Sequence, residues 1–145
     1  MKKRILIVDD SEAVRDVMRS LLEDQDDFAI CGEAADGFNA IRLAQALQPD
    51  LILLDLVMPK LNGAAAVSEL KAVVPGVSVI LFTMFEDSVD ALAPALGVDI
   101  VLSKIDSLRN LVQHIRDLLE DRASGVPREQ VLSRGVRKQQ PVPRA

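Results

Sequence analysis

Short apolar runs alternate with segments of helical periodicity over residues 5–119, and this alternation restricts the fold more than any other feature. The runs are rich in Leu, Ile and Val and are short enough to be strands buried on both faces. Strands are predicted at 5–8, 28–34, 51–54, 77–82 and 98–102. Helices are predicted after Ser11, at 38–47, 64–74 and 87–96, and along a last apolar stripe from Ile105 to Leu119.

Five strand–helix pairs predict a parallel sheet with helices on both faces, because a helical crossover returns the chain to the edge at which the next strand begins. The predicted class is therefore α/β. Five units are best accommodated by a doubly wound five-stranded parallel sheet of strand order 2-1-3-4-5, the flavodoxin-like (βα)5 arrangement.

Charge divides the chain into two parts. Residues 1–121 contain 11 basic and 21 acidic side chains, whereas residues 122–145 contain 6 basic and 1 acidic. Apolar periodicity also stops at 122, beyond which Gly, Pro, Arg and Gln dominate. We predict a folded domain over 1–121 and a basic, mostly disordered tail over 122–145. The acidic domain argues against direct binding of nucleic acid by the domain itself.

The same sequence argues against a membrane segment. No apolar stretch approaches the roughly 20 residues that a transmembrane helix needs. Asp9 and Asp10 interrupt the first apolar run, and the single cysteine, Cys31, can form no internal disulfide. We therefore expect a cytoplasmic protein that does not bind membranes, with Cys31 as a buried thiol.

Polar residues follow four of the predicted strands at the edge where open α/β sheets place their functional crevice. They are Asp9 and Asp10 after the first strand, Asp55 after the third, Thr83 after the fourth, and Ser103 and Lys104 after the fifth. Clustered carboxylates repel one another unless a cation lies between them, and a ligand set made only of oxygen favours Mg²⁺. A lysine beside such an ion suits a phosphoryl oxygen. The pattern predicts a site that holds a phosphoryl group on or near a carboxylate.

This spaced set resembles the receiver domains of two-component response regulators, the CheY-like superfamily, over residues 3–120. The residues that carry the resemblance are Asp9, Asp10, Asp55, Met58, Pro59, Gly63, Thr83 and Lys104. The segment 83–87 is similar to the receivers of the nitrate-response (LuxR-type) group. Members of that group usually carry a DNA-binding domain, which this chain is expected to lack.

The resemblance implies a role for each matching residue. Asp55 would accept the phosphoryl group from a sensor histidine kinase. Asp10 and Asp55 would bind Mg²⁺ directly, Asp9 would bind it through water, and Val57 would contribute its backbone carbonyl. The domain would then change its binding to an output protein that the sequence does not identify, and it could dimerise through its fourth helix, fifth strand and fifth helix.

Lys104 and Thr83 would each contact a phosphoryl oxygen in this family. The chain departs from the family pattern nearby, where Val101 replaces a common aromatic switch residue and Met84 replaces a small residue. Ile105 follows the lysine where proline is common, so a trans peptide bond is expected there. These departures affect the expected switch mechanism more than phosphorylation.

Two other functions stay open from the residues alone. A receiver-like module could bind partners without phosphate, which Val101 and Met84 would permit. An aspartate-nucleophile phosphohydrolase would need a second acid two residues after Asp55, but that position is Val57, which cannot transfer protons. We therefore predict a phosphoacceptor signalling domain that is not an enzyme beyond its own phosphorylation and dephosphorylation. His114 is expected to be a surface residue of the last helix.

Overall fold

The computed structural model describes residues 2–55, 63–83, 97–103 and 110–123. The strands are β1 (Lys3–Val8), β2 (Phe28–Ala34), β3 (Leu51–Asp55), β4 (Ser78–Thr83) and β5 (Ile100–Ser103). The helices within these ranges are α1 (Glu12–Glu23), α2 (Gly37–Leu47), α3 (Gly63–Val73) and α4 (Leu111–Ala123). The helix predicted at 87–96 lies outside the described residues, so the label α4 belongs to the helix that follows β5.

The five strands form one sheet of order β2-β1-β3-β4-β5, and every pairing between neighbours is parallel. The predicted α/β class, sheet type and strand order are therefore confirmed. β1 and β3 lie in the middle of the sheet, and their apolar residues are buried because the sheet is covered on both faces. The central position of β3 places Asp55, its last residue, at the middle of the carboxyl edge.

Alternate residues of the strands pack into two separate apolar clusters. One contains Leu6, Ile52 and Leu81 from the strands, together with residues of α2 and α3. The other contains Ile7 and Leu53, together with residues of α1 and α4. The side-chain period of two sends neighbours in a strand to opposite faces of the sheet. Among the described helices, α2 and α3 therefore pack on one face, and α1 and α4 on the other.

Two caps fix where the helices begin next to the carboxyl edge. The Ser11 hydroxyl accepts a hydrogen bond from the Val14 amide at 3.3 Å and caps α1. The Asp36 carboxylate accepts from the Asn39 amide at 2.8 Å and caps α2. Each cap satisfies an amide that has no partner within its own helix.

The structure differs from the sequence-based expectations at α4. The helix continues to Ala123, two residues beyond the predicted domain boundary. Arg122 is held there because its guanidinium donates to the buried carboxylate of Asp99 at 3.1 Å and to the carbonyl of Gly76 at 2.7 Å. His114 was expected at the surface but is only 5% exposed, because it shares the buried face of the helix with Leu111 and other apolar residues.

Two smaller features complete the description. Cys31 is partly rather than fully buried; it packs against the core, and its thiol donates to the carbonyl of Ile5 at 3.5 Å. Within the ranges that the structure describes, no helix has both the length and the apolar character needed to cross a membrane.

Candidate functional site

Three aspartates come together at the carboxyl edge of the sheet. Val8 of β1 is paired with Leu54 of β3 in the parallel register. The next residues along these two strands, Asp9 and Asp55, therefore lie side by side. One carboxylate oxygen from each of Asp9, Asp10 and Asp55 lies within 4.8 Å of the others. The sequence predicted this association from strand ends alone, and the structure brings the three residues together.

The three carboxylates differ in their exposure to solvent. Asp9 is 1% exposed and Asp55 is 5% exposed, whereas Asp10 is exposed. A hydrated cation could therefore approach past Asp10 and reach two oxygens that are largely shielded from water. Oxygen donors in such a cluster suit a hard divalent cation, whose charge offsets the repulsion between the carboxylates.

Asp9 is fixed by hydrogen bonds at three points. Its amide donates to the carbonyl of Ala34 at 3.1 Å, which continues the β1–β2 pairing. Its Oδ1 accepts from the amide of Ser11 at 2.8 Å. Its carbonyl oxygen accepts from Nη1 of Arg15 at 2.5 Å. The first carboxylate of the cluster is therefore held in a defined position before any ion binds.

The structure describes only some of the other predicted site residues. Thr83 ends β4 and pairs with Ser103, which ends β5 and is 7% exposed. Both residues thus lie at the same edge as Asp55, which pairs with Phe82, the residue before Thr83. Lys104 and Val57, predicted to contact the phosphoryl group and the metal, lie outside the described residues.

A polar cleft of about 430 Å³ lies between α1 and the end of β2, and sequence reasoning did not identify it. Arg15 and Arg19 both form ion pairs with Glu33 in its wall. The hydrogen bond to Glu33, followed by the one to Asp16, raises the pKa of the Arg19 guanidinium. The cleft is lined by Glu12, Arg15, Asp16, Arg19, Glu33, Ala34 and Ala35.

The only signal for this cleft in the sequence was the spacing of Arg15 and Arg19 by one helical turn. That spacing is common on solvated helix faces and does not indicate which acid the arginines contact.

Comparison with known proteins agrees with the geometry. The family model described as "Response regulator receiver domain" matches residues 5–116. The response regulator protein VraR of Staphylococcus epidermidis is 38% identical over 121 residues, which cover 83% of this chain and 58% of that protein. This chain thus spans less than two thirds of the length of such curated relatives.

Solved structures show the same similarity. A LuxR-family two-component response regulator from Aurantimonas sp. SI85-9A1 has a TM-score of 0.76 at 31% identity, covering 90% of this chain and 99% of that one. A CheY-like receiver domain protein from Methanospirillum hungatei JF-1 has a TM-score of 0.77 at 25% identity, covering 86% and 99%. With the family model matching most of its length, the chain belongs to the response regulator receiver domain family, a family of two-component signalling domains.

Proposed function

We propose that this domain accepts a phosphoryl group on Asp55 from a sensor histidine kinase and thereby changes its binding to an output protein. The observation that carries the proposal is the cluster of Asp9, Asp10 and Asp55, whose oxygens lie within 4.8 Å of one another at the carboxyl edge of the sheet. Asp55 is the last residue of β3, the middle strand of the sheet, and Asp9 and Asp10 follow the neighbouring strand β1.

The donor set fits Mg²⁺. The three candidate side chains are all carboxylates, and Asp10 is open to water, which suits an ion that keeps several water ligands. Asp10 and Asp55 would bind the ion directly, Asp9 through water, and Val57 through its carbonyl. When bound, Mg²⁺ would neutralise negative charge on the carboxylates and on the phosphoryl oxygens.

Asp55 is suited to act as the nucleophile. One of its carboxylate oxygens would form a bond to phosphorus while the bond from phosphorus to the kinase histidine nitrogen breaks, giving an acyl phosphate. Asp55 ends a strand whose five residues are all buried, so its backbone is held in place by the sheet. Rigid positioning of this kind supplies much of the acceleration of an in-line transfer. Thr83 and Lys104 would each bind a phosphoryl oxygen.

The remaining parts of the proposal concern the whole protein. We place the domain in the cytoplasm, where a kinase would meet it, and we propose a basic tail after the body that ends with α4. Dimerisation would use the surface around β5 and the helices on either side of it in the chain.

The proposal is tested by incubating the full chain with acetyl phosphate and Mg²⁺ and measuring intact mass. We expect a single phosphoryl adduct on the wild type, and none on Asp55→Asn or without Mg²⁺. Asp16→Asn is a matched control, because Asp16 is an exposed aspartate on α1 that pairs with Arg19. It should be phosphorylated like the wild type.

The other outcomes identify the two alternative functions. Continuous consumption of acetyl phosphate without an adduct would indicate a phosphohydrolase. No adduct and no consumption would indicate a module that binds partners without phosphate. An adduct that persisted in Asp55→Asn would show that the phosphoacceptor was assigned to the wrong residue.

A further inference from the structure

Arg15 connects the acidic cluster to the two secondary-structure elements beside it. Nη1 of Arg15 donates to the carbonyl oxygen of Asp9 at 2.5 Å. Nε of the same guanidinium lies 3.3 Å from a carboxylate oxygen of Glu33, and the Arg15 side chain is only 16% exposed. A single, largely buried guanidinium therefore joins α1, the end of β2 and the segment that follows β1.

The hydrogen bond from Arg15 to the carbonyl of Asp9 fixes the conformation of more than one residue. The carbonyl of Asp9 and the amide of Asp10 belong to one planar peptide unit, so a donor that fixes the oxygen also fixes the orientation of that plane. The amide of Asp9 is already held by Ala34, and its carboxylate by Ser11. Arg15 holds the third point and sets the direction in which the chain continues to Asp10.

We infer that Arg15 is a positioning residue for the metal-binding carboxylates, orienting the peptide between Asp9 and Asp10 so that both side chains face the same ion. This inference rests on the proposed function, because it concerns the Mg²⁺ site of that function. The guanidinium suits the role, since its planar array of donors contacts Asp9 and Glu33 at once, whereas an ammonium group is a compact point charge.

Replacing Arg15 should change the affinity for Mg²⁺ in opposite directions through its charge and through its positioning role. A cation beside the site repels Mg²⁺, so removing the charge of Arg15 should by itself tighten metal binding. Loss of positioning should weaken it, because groups that orient metal ligands typically contribute tenfold or more to affinity. Arg15→Lys keeps the charge but not the fork of donors, so it isolates the contribution of geometry.

Arg19 provides a matched control one helical turn further along α1. It pairs with the same Glu33 and also with Asp16. Among the residues that the structure describes, no hydrogen bond or ion pair joins it to Asp9. Arg19→Gln therefore removes a neighbouring positive charge and one partner of Glu33 while leaving the Arg15–Asp9 contact in place.

The experiment titrates Mg²⁺ into the metal-free full chain by calorimetry, for the wild type, Arg15→Gln, Arg15→Lys and Arg19→Gln. We expect Arg15→Lys to bind Mg²⁺ about tenfold more weakly, and Arg15→Gln to lose less affinity because removing the positive charge offsets part of the lost positioning. Arg19→Gln should change affinity by less than about twofold, because exposed charges are screened at physiological salt. In the metal-free protein, hydrogen exchange at the Asp9 and Ser11 amides should be faster in the Arg15 variants only.

The results separate failure of the inference from failure of the proposed function. If the wild type binds Mg²⁺ and Arg15→Lys binds it equally well, Arg15 is not a positioning residue. Tighter binding by Arg15→Gln, with unchanged amide exchange, would show that only its charge matters. If Arg15→Gln does not fold by far-UV circular dichroism, the Arg15→Lys result decides. A wild type that bound no Mg²⁺ would overturn the proposed site and the role of Arg15 with it.

Discussion

Replacing Asp99 with asparagine should destabilise the domain more than replacing any exposed acid. Asp99 immediately precedes β5, and its side chain is almost completely buried. Its Oδ2 accepts from the amide of Val79 at 2.7 Å and from Nζ of Lys71 at 3.0 Å. Its Oδ1 accepts from Nη1 of Arg122 at 3.1 Å. The carboxylate thus ties together α3, β4, β5 and α4.

The expected loss in the free energy of unfolding follows from how deeply Asp99, Lys71 and Arg122 are buried. Removing one partner of a buried ion pair costs about 3–5 kcal/mol, because the other charge is left uncompensated. The lower end applies here, since the Lys71 and Arg122 side chains are 18% and 27% exposed and can turn toward water. Each also keeps a backbone acceptor, the carbonyl of Val77 at 2.5 Å or that of Gly76 at 2.7 Å. We expect a loss of about 3 kcal/mol, which lowers the Tm by roughly 10 °C for a domain of this size.

Urea unfolding followed by far-UV circular dichroism measures this loss. Tryptophan fluorescence cannot be used, because the chain contains no Trp. Asp27→Asn is the control, since Asp27 pairs with Arg116 but its side chain is 52% exposed, and exposed pairs contribute little. A loss below about 1 kcal/mol for Asp99→Asn, the level of a surface pair, would refute the argument from burial.

Three further predictions concern other parts of the chain. Hydrogen bonding from Arg116 lowers the pKa of Asp27 below its ordinary value of 3.8. The pair therefore stabilises the fold above pH 3.8, and this stabilisation is lost as the pH falls through the lowered pKa. The difference in Tm between wild type and Asp27→Asn should shrink on acidification. Burial raises the pKa of the Cys31 thiol above 9.0, so iodoacetamide should alkylate it more slowly at pH 8 in the folded chain than in urea, as followed by intact mass. Truncation after residue 123 should leave the Tm unchanged, whereas truncation after residue 121 removes Arg122 and should lower it by several degrees; equal Tm values for the two truncations would contradict a structural role for that arginine.

Most of the fold could be predicted because its signals are local. The bounds of β2 agree at both ends, and those of β3 and α2 differ by one residue, since apolar runs and caps mark them directly. The fifth strand was predicted to begin two residues too early and to end one residue too early. Val98 is buried but lies before the strand, and an apolar pattern reports burial without distinguishing a strand from a buried loop.

The site was predictable only in part, for a physical reason. A parallel sheet brings strand ends to one edge, so Asp9, Asp10 and Asp55 could be associated from topology. The partners that hold such groups are distant in sequence and depend on side-chain conformation. Glu33 lies 18 residues beyond Arg15 in the sequence, and no periodic pattern indicates that they pair.

His114 shows a different kind of error. Its position was readable from helical phase, because the buried residues of α4 are 111, 114, 115 and 118, which form one stripe along the helix. Its polar side chain led to the expectation of a surface residue. In this helix, position within the stripe predicted burial better than side-chain polarity did.

At Val101 the chain departs from the family pattern, so the resemblance does not predict the role of this residue. It replaces the common aromatic switch residue, is 1% exposed, and lies in the apolar cluster with Val79, Leu81 and Val98. A buried valine has no ring that can move between the core and the surface, and its branched side chain is stiff.

We therefore expect Val101 to act only in packing: Val101→Ala should lower the free energy of unfolding by about 2 kcal/mol through lost burial and a small cavity. The rate of phosphorylation by acetyl phosphate should stay within about twofold of the wild type, because a core methyl contributes nothing to charge neutralisation at the carboxyl edge. Urea unfolding and the time course of the adduct measure the two effects separately. A phosphorylation rate that fell tenfold at unchanged stability would show that this valine takes part in the switch after all.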